Sequence, residues 1–437
     1  MKRLAAAGAV SLALYLVALA QPSWGREFTR FASLHGAVFV AYTAALAVVA
    51  RRREEPGSDG FRVLLLVWAG AVLFRICALA AEPTLSDDVY RYIWDGRVFA
   101  SGVNPYRFAP EAVELAHLRD ARWPLINNPG LPTIYPPLLQ LVFAGIAAVS
   151  PTAVAFKGAM AGFDLGTGWV LLRALRERGL PGVWVLAYLW NPLVVMEFAG
   201  QGHADAVGLF FLAAALYSWT RDRPFAAGLA LTLSALVKFL PLVALPLVFR
   251  RLTWRWLAFP LVLAAFYLPF AGGGVDPLGS LGVYAAVWRA NDFVFAWIHG
   301  GGAATEATLA EAKRVALWFP AAAWGLAAGL RRPWPSVYSW TVGIALLVSP
   351  IVHPWYVTWL LPALVFLPHP AWWLWSGTVI LAYQPLPGFL ETGTWTESAV
   401  VKGLEYWPVV LAVALQLVLE RRVGIARRNT GRLLGVF

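Results

Sequence analysis

The chain has 437 residues, of which 59% are hydrophobic and only 14% charged, with a mean hydropathy of +0.63. A soluble domain is about a quarter charged, so this composition excludes an ordinary water-soluble enzyme and selects an integral membrane protein. The formal charge of +11 comes in short basic clusters between apolar runs, which excludes a nucleic-acid-binding stripe, and the single cysteine, Cys77, excludes a disulfide framework or a cysteine metal site.

The N-terminus, "MKRLAAAGAVSLALYLVALAQPSWG", has the basic start and apolar stretch of a signal peptide. Because many further spans follow, it reads as an uncleaved first helix. A crossing helix needs roughly 20 apolar residues, each rising about 1.5 Å through a core about 30 Å thick. Such helices are expected at 4–20, 31–50, 61–81, 153–174, 182–199, 206–220, 254–271, 315–330, 336–350, 354–367, 370–384 and 404–420. The shorter ones require tilt or local thinning of the bilayer.

Two further segments fit poorly as crossings. Residues 134–150 contain Pro136-Pro137, a helix start, and predict a short interfacial or re-entrant helix. Residues 225–249 are flanked by basic residues and carry Lys238 and Pro241 midway, which predicts two half-helices lining a cavity. The expected fold is all-α: a polytopic transmembrane helical bundle of about 11–14 membrane helices, each sized to the bilayer. It reads as a single domain, with an N-terminal helix pair at 1–60, a helical core at 61–420 and a basic tail at 421–437.

The basic clusters "MKR", "RRREE", "RALRER", "LRR" and "ERRVGIARR" place both termini on the cytoplasmic side. The large polar segment 82–134 then lies outside, with 198–206, 272–301, 349–359 and 384–398. Acids outnumber bases on that outer side, so the expected functional face is acidic.

Within the large segment, "LSDDVYRYIWDGRVFASGVNPYRFAP" (85–110) concentrates aspartates, arginines and aromatic residues after an apolar run. Thr84-Leu85-Ser86-Asp87 has capping-box spacing, and in a helix from there Asp88, Arg91, Tyr92 and Asp95 share one face. An arginine beside a carboxylate keeps it ionised, which suits a general base for a hydroxyl. The plainer reading is an amphipathic interfacial helix with ion pairs.

The motifs "SDDVYRYIWDGRVFASGVNPY", "IYPPL", "NPLVVMEFAGQGHADA", "LVKFLPLVALP" and "HPWYVTWLLPAL", in this order, resemble the GT-C superfamily of polytopic glycosyltransferases. The likeness is to the bacterial branch that uses a polyprenyl-phosphate sugar, often mannose. It extends from about residue 82 to residue 367, and the helix pair before 61–81 is additional to the usual arrangement.

The resemblance implies a sugar transferase of the bacterial inner membrane with an extracytoplasmic active site, a lipid or glycan acceptor and no nucleic-acid partner. By register, Asp88 matches the family's catalytic base, with Asp87 as second choice, and inversion follows from departure of the lipid phosphate on the opposite face. Phosphate is a good leaving group that mainly needs its charge stabilised. Candidates for that task are Arg91, His353, Lys238, Arg289 and Tyr356. Lys238 can instead snorkel, and Arg289 can pair with Asp292.

Candidate sugar or acceptor contacts are Tyr92, Asp95, Asn104, Tyr106, Tyr135, Glu197, His203, Asp205, Asn291 and Trp355. Glu197, His203 and Asp205 have the chemistry for a divalent cation too, but hydroxyl binding or loop hydrogen bonding is favoured, and no metal or cofactor is expected. For any one of the 23 tryptophans, interfacial anchoring is the simpler role. A transporter or lipid flippase would share the composition, but would show repeated halves, which this chain lacks.

Overall fold

The first apolar runs become helices at Lys2–Leu19, Phe28–Ala50 and Ser58–Leu79, and the last becomes Ala399–Asn429. This computed structural model describes residues 1–51, 58–244, 254–272, 274–300, 305–329 and 332–429; 75% of the described residues are helical and none lies in a strand. Among the described residues, four helices are long and apolar enough to cross a bilayer. Their outward side chains, such as Val40, Leu65, Leu411 and Leu415, are exposed. Such a surface would aggregate in water and is at home in hydrocarbon. The molecule is an all-α polytopic membrane protein.

The run expected to cross at 182–199 is broken. Gly182–Leu189 and Pro192–Gly200 meet at 55°. Pro192 has no N–H to continue the first helix, and the Asn191 side chain accepts from Leu193 N at 3.0 Å to start the second. The second piece ends in a π-turn, Val195–Gly200, a form that often marks functional ground. The run 354–367 is likewise not one helix but three short pieces, Pro354–Val357, Thr358–Leu360 and Leu361–Leu364, interrupted by Pro362.

Pro137–Val149 is helical over 13 residues, which rise about 20 Å and fall short of the hydrocarbon core. It packs on the helix Asp88–Ala100 through Gly96, where a Cβ would lie 2.4 Å from the Phe143 carbonyl oxygen. The rings of Tyr92 and Phe143 stack at 4.7 Å across this contact. Pro224–Ala235 forms the first of the two expected half-helices; most of the second, 245–249, lies outside the described residues. The basic tail expected from 421 continues the last helix to Asn429.

The N-terminal pair is built into the common core. Tyr42 donates to the Ala187 carbonyl at 2.7 Å, and Trp24 N donates to Thr84 Oγ1 at 2.9 Å. Thr84 is therefore engaged elsewhere, and the capping box expected at 84–87 does not form; Asp88 N instead meets Ser86 Oγ at 3.3 Å. Arg75 and Asp164 pair at 2.5 Å with both side chains buried, and Arg75 also donates to the Leu189 carbonyl at 2.8 Å. Lys157 is buried too, and its ammonium caps the carbonyls of Ala78, Leu79 and Ala81 at the end of Ser58–Leu79. Many tryptophans are core residues rather than interfacial anchors: Trp190, Trp359, Trp372 and Trp375 are fully buried.

Candidate active site

The segments around residues 85–92, 125–139, 204–205, 237–240, 281–291, 345–356 and 382–397 converge on a cavity of about 990 Å³. Its polar lining includes Asp87, Asp88, Asn127, Asp205, Lys238 and His353. The aromatic lining includes Tyr92, Tyr135, Trp288, Trp355 and Tyr356, and the apolar side chains Leu125, Phe389, Leu390 and Trp395 line it while remaining exposed.

Asp88 is the first residue of the Asp88–Ala100 helix, where the helix dipole favours a carboxylate. Its two oxygens are held separately. Asn127 Nδ2 donates to Oδ1 at 2.7 Å, and Tyr92 Oη, one turn on, donates to Oδ2 at 3.3 Å. His203 Nε2 lies 4.0 Å from Oδ2. Asp87 is more open and meets only the same Asn127 amide, at 2.9 Å. The protein around the cavity desolvates the Asp87 carboxyl and the Asp88 charge repels it, which together push its pKa up to about 6.

Elsewhere in the lining Lys238 pairs with Asp205 at 2.6 Å, and its ammonium sits 3.7 Å from the centre of the Tyr356 ring. Asp205 also accepts from Trp359 Nε1 at 2.5 Å. Gly208 makes that contact possible, since a Cβ there would lie 2.4 Å from the Trp359 ring. Tyr356 shares a hydroxyl contact with Tyr284 at 3.1 Å. His353, Trp355 and His203 form a continuous stack, with ring centroids 4.4 Å and 3.8 Å apart. Burial, then the Lys238 charge and His203, push the His353 imidazole down to about 3. It is a neutral hydrogen-bonding group, not a cation.

Several expected contacts are corrected. Arg91 touches the cavity wall, but its guanidinium is occupied by Asp95 at 2.9 Å and by the carbonyls of Asn127, Asn128 and Leu131. It clamps the 127–131 turn and thereby places the Asn127 amide on both aspartates. Asp95 is buried beneath it and outside the cavity.

Arg289 is paired with Asp292 at 2.5 Å and does not line the cavity. Asn104 donates to the Phe270 carbonyl and Tyr106 to that of Tyr135, so both fasten loops together. Asn291 reaches the wall, yet its amide is spent on Glu405 at 2.9 Å and on the Val352 carbonyl, which ties the His353 loop to the last helix. Glu197 and His203 are fully buried behind the wall. Asp205 faces Lys238 while Glu197 and His203 face each other, so these three do not converge on one cation. Among the described residues no other such group of three or more could hold a metal ion.

Sequence reasoning missed Asn127 and Tyr383. "NNPG" reads only as a turn, and indeed Asn128 has φ +45°. Nothing local marks Tyr383, whose hydroxyl donates to Glu197 at 3.1 Å.

A family model described as alpha-(1->6)-mannopyranosyltransferase, N-terminal domain, matches residues 4–255, more than half of the chain. The match starts within the first helix and spans the N-terminal pair. A probable alpha-(1->6)-mannopyranosyltransferase of Mycolicibacterium smegmatis is 24% identical over 69% of this chain and 64% of its own length. Alpha-(1->6)-mannopyranosyltransferase A of Mycobacterium tuberculosis is 25% identical over 45% of this chain and 42% of its own length. The chain thus covers less than two thirds of either relative. No solved structure matches it.

Proposed function

The chain belongs to the alpha-(1->6)-mannopyranosyltransferase family of multi-pass membrane proteins, and from that premise we propose that it transfers a mannosyl unit from a polyprenyl-phosphate donor to a lipid- or glycan-borne hydroxyl. The site opens on the extracytoplasmic face of a bacterial inner membrane, and both termini lie in the cytoplasm. The observation that carries this reading is that a fixed carboxylate, Asp88, and a lysine, Lys238, line one cavity.

Asp88 accepts the proton of the acceptor hydroxyl as its oxygen attacks the anomeric carbon. The bond from that carbon to the phosphate oxygen breaks, and polyprenyl phosphate leaves with the electron pair from the opposite face. The configuration inverts. Lys238 supplies the positive charge that the departing phosphate needs, and neutral His353 adds a hydrogen bond. The isoprenoid lies along the exposed apolar lining at Leu125, Phe389, Leu390 and Trp395, where each buried methylene contributes about 0.8 kcal/mol. No metal enters this scheme, because the lysine fills the role a cation would have.

Lys238→Met alone would strand Asp205, so the informative variant is Lys238→Met with Asp205→Asn. A charge-assisted hydrogen bond contributes about 1.5–3 kcal/mol, so kcat/KM for a polyprenyl-phosphate mannose is expected to fall about 10- to 100-fold. Inhibition by free polyprenyl phosphate should weaken with it. Unchanged donor use would remove Lys238 from the phosphate subsite.

A further inference from the structure

Glu197 and His203 are too deep to touch a sugar, yet they sit directly behind the carboxylate assigned as the base. His203 Nδ1 lies 2.8 Å from Glu197 Oε2, and Nε2 points toward Asp88 Oδ2 at 4.0 Å; neither nitrogen has an aligned hydrogen-bond partner. The imidazole has little freedom. Trp355 stacks on it with an 18° interplanar angle, and its backbone N donates to the Glu197 carbonyl at 2.9 Å. Gly202, at φ +81°, makes the sharp turn that brings His203 back over Glu197. Both carboxylate oxygens of Glu197 also accept from the hydroxyl of Tyr383, which lines the cavity.

The charges decide which way the hydrogens point. Glu197 is fully buried and, apart from His203, has only the neutral Tyr383 hydroxyl as a side-chain partner among the described residues. If Nε2 were bare, its lone pair would face the Asp88 carboxylate while a second, fully buried carboxylate lay behind it. Unpaired buried charge is costly, so the stable arrangement keeps a proton between Nδ1 and Glu197 and a hydrogen on Nε2. The pair is then neutral overall and presents a donor to Asp88.

The other groups facing this pair do not reverse the argument. From the 85–92 segment come Asp87 and Asp88, both acidic. From the 353–356 segment comes neutral His353, beyond the Trp355 ring. Lys238 makes its ion pair with Asp205 and none with Glu197 or Asp88 among the described residues, and Lys157, whose stem packs near Gly202, is turned toward three backbone carbonyls.

We propose that Glu197 and His203 are a positioning pair that presents Nε2–H to Asp88 and keeps this carboxylate ionised and aimed at the acceptor hydroxyl. The inference rests on Asp88 being the base. The gap of 4.0 Å must close by roughly 1 Å to become a hydrogen bond, a tightening that substrate binding commonly produces at catalytic carboxylates.

A donor lowers the pKa of the carboxylate it faces, so its removal raises that pKa and moves the acid limb of kcat/KM to higher pH. The test is the pH profile of mannosyl transfer by the full chain in membranes. His203→Phe retains a ring against Trp355 but removes both nitrogens, and Glu197→Leu removes the partner that fixes Nδ1. Both are expected to move the limb upward by about one pH unit. His203→Gln and Glu197→Gln each retain a donor in the chain and are expected to return it toward the wild-type position. Tyr383→Phe, the mildest change, should give a smaller shift in the same direction.

If all five variants keep the wild-type limb, whatever their loss of rate, the pair is purely structural and the inference is overturned. Asp88→Asn separates this from the larger reading. An inactive Asp88→Asn beside an unmoved His203→Phe profile defeats the positioning pair alone, whereas a fully active Asp88→Asn defeats the base assignment beneath it.

Discussion

Asp88→Asn is expected to lower kcat by about 10³-fold while leaving binding of the lipid donor nearly unchanged, since a positioned general base contributes about 10²–10⁴-fold. Asparagine keeps the size and one acceptor oxygen, so the Tyr92 and Asn127 contacts survive in part and the fold is spared. What disappears is the ability to take a proton. Asp87→Asn should be milder, because Asp87 has one side-chain hydrogen bond and no partner that aims it.

The chemistry gives Asp87 one advantage. With its pKa pushed up to about 6, it is a stronger base than an ordinary aspartate when ionised. Geometry outweighs this, because a base must be held at the reacting proton, and Asp88 is restrained at both oxygens. Single-turnover rates for the two variants decide the matter. A silent Asp87→Asn beside a dead Asp88→Asn fits the assignment, and the reverse pattern transfers the role to Asp87.

The second large effect concerns stability. Asp164→Ala is expected to destabilise the protein by about 3–5 kcal/mol, because it leaves the fully buried Arg75 without its counter-charge. Arg75 joins the Ser58–Leu79 helix to the Leu189 carbonyl at the bend before Pro192, so the loss loosens the element that carries Glu197 and His203. The double variant Arg75→Met with Asp164→Leu, which removes both charges, should recover most of the loss. Thermal unfolding of the purified protein in detergent measures both. A single variant as stable as the wild type would show that the pair is solvated.

The sequence discloses the site in proportion to how local each signal is. Asp87, Asp88, Asp205, Lys238 and His353 stand out because an ionisable residue beside or inside an apolar run demands a reason, and all five reach one cavity. The Asn191-Pro192 step carries the chemistry of a bend, yet hydropathy averages over it and reads one helix. Arg91 illustrates the opposite failure. Its charge is visible in the sequence, but Asp95, one turn away, and the carbonyls of a turn near residue 130 claim it first. Depth is the least legible property. Glu197, His203 and Asp205 share one polar motif, and only the π-turn and Gly202 decide that the first two are buried while Asp205 meets the cavity.

These residues were expected to gather around a lipid phosphate, and the donor is where the account is most directly exposed. The decisive measurement supplies membranes containing the wild-type chain with radiolabelled polyprenyl-phosphate mannose or, separately, with a mannose nucleotide in membranes depleted of polyprenyl phosphate. Label passing to a lipid or glycan acceptor from the polyprenyl donor alone is the predicted result. Equal transfer from the nucleotide under depletion, with the polyprenyl sugar left intact, would contradict it.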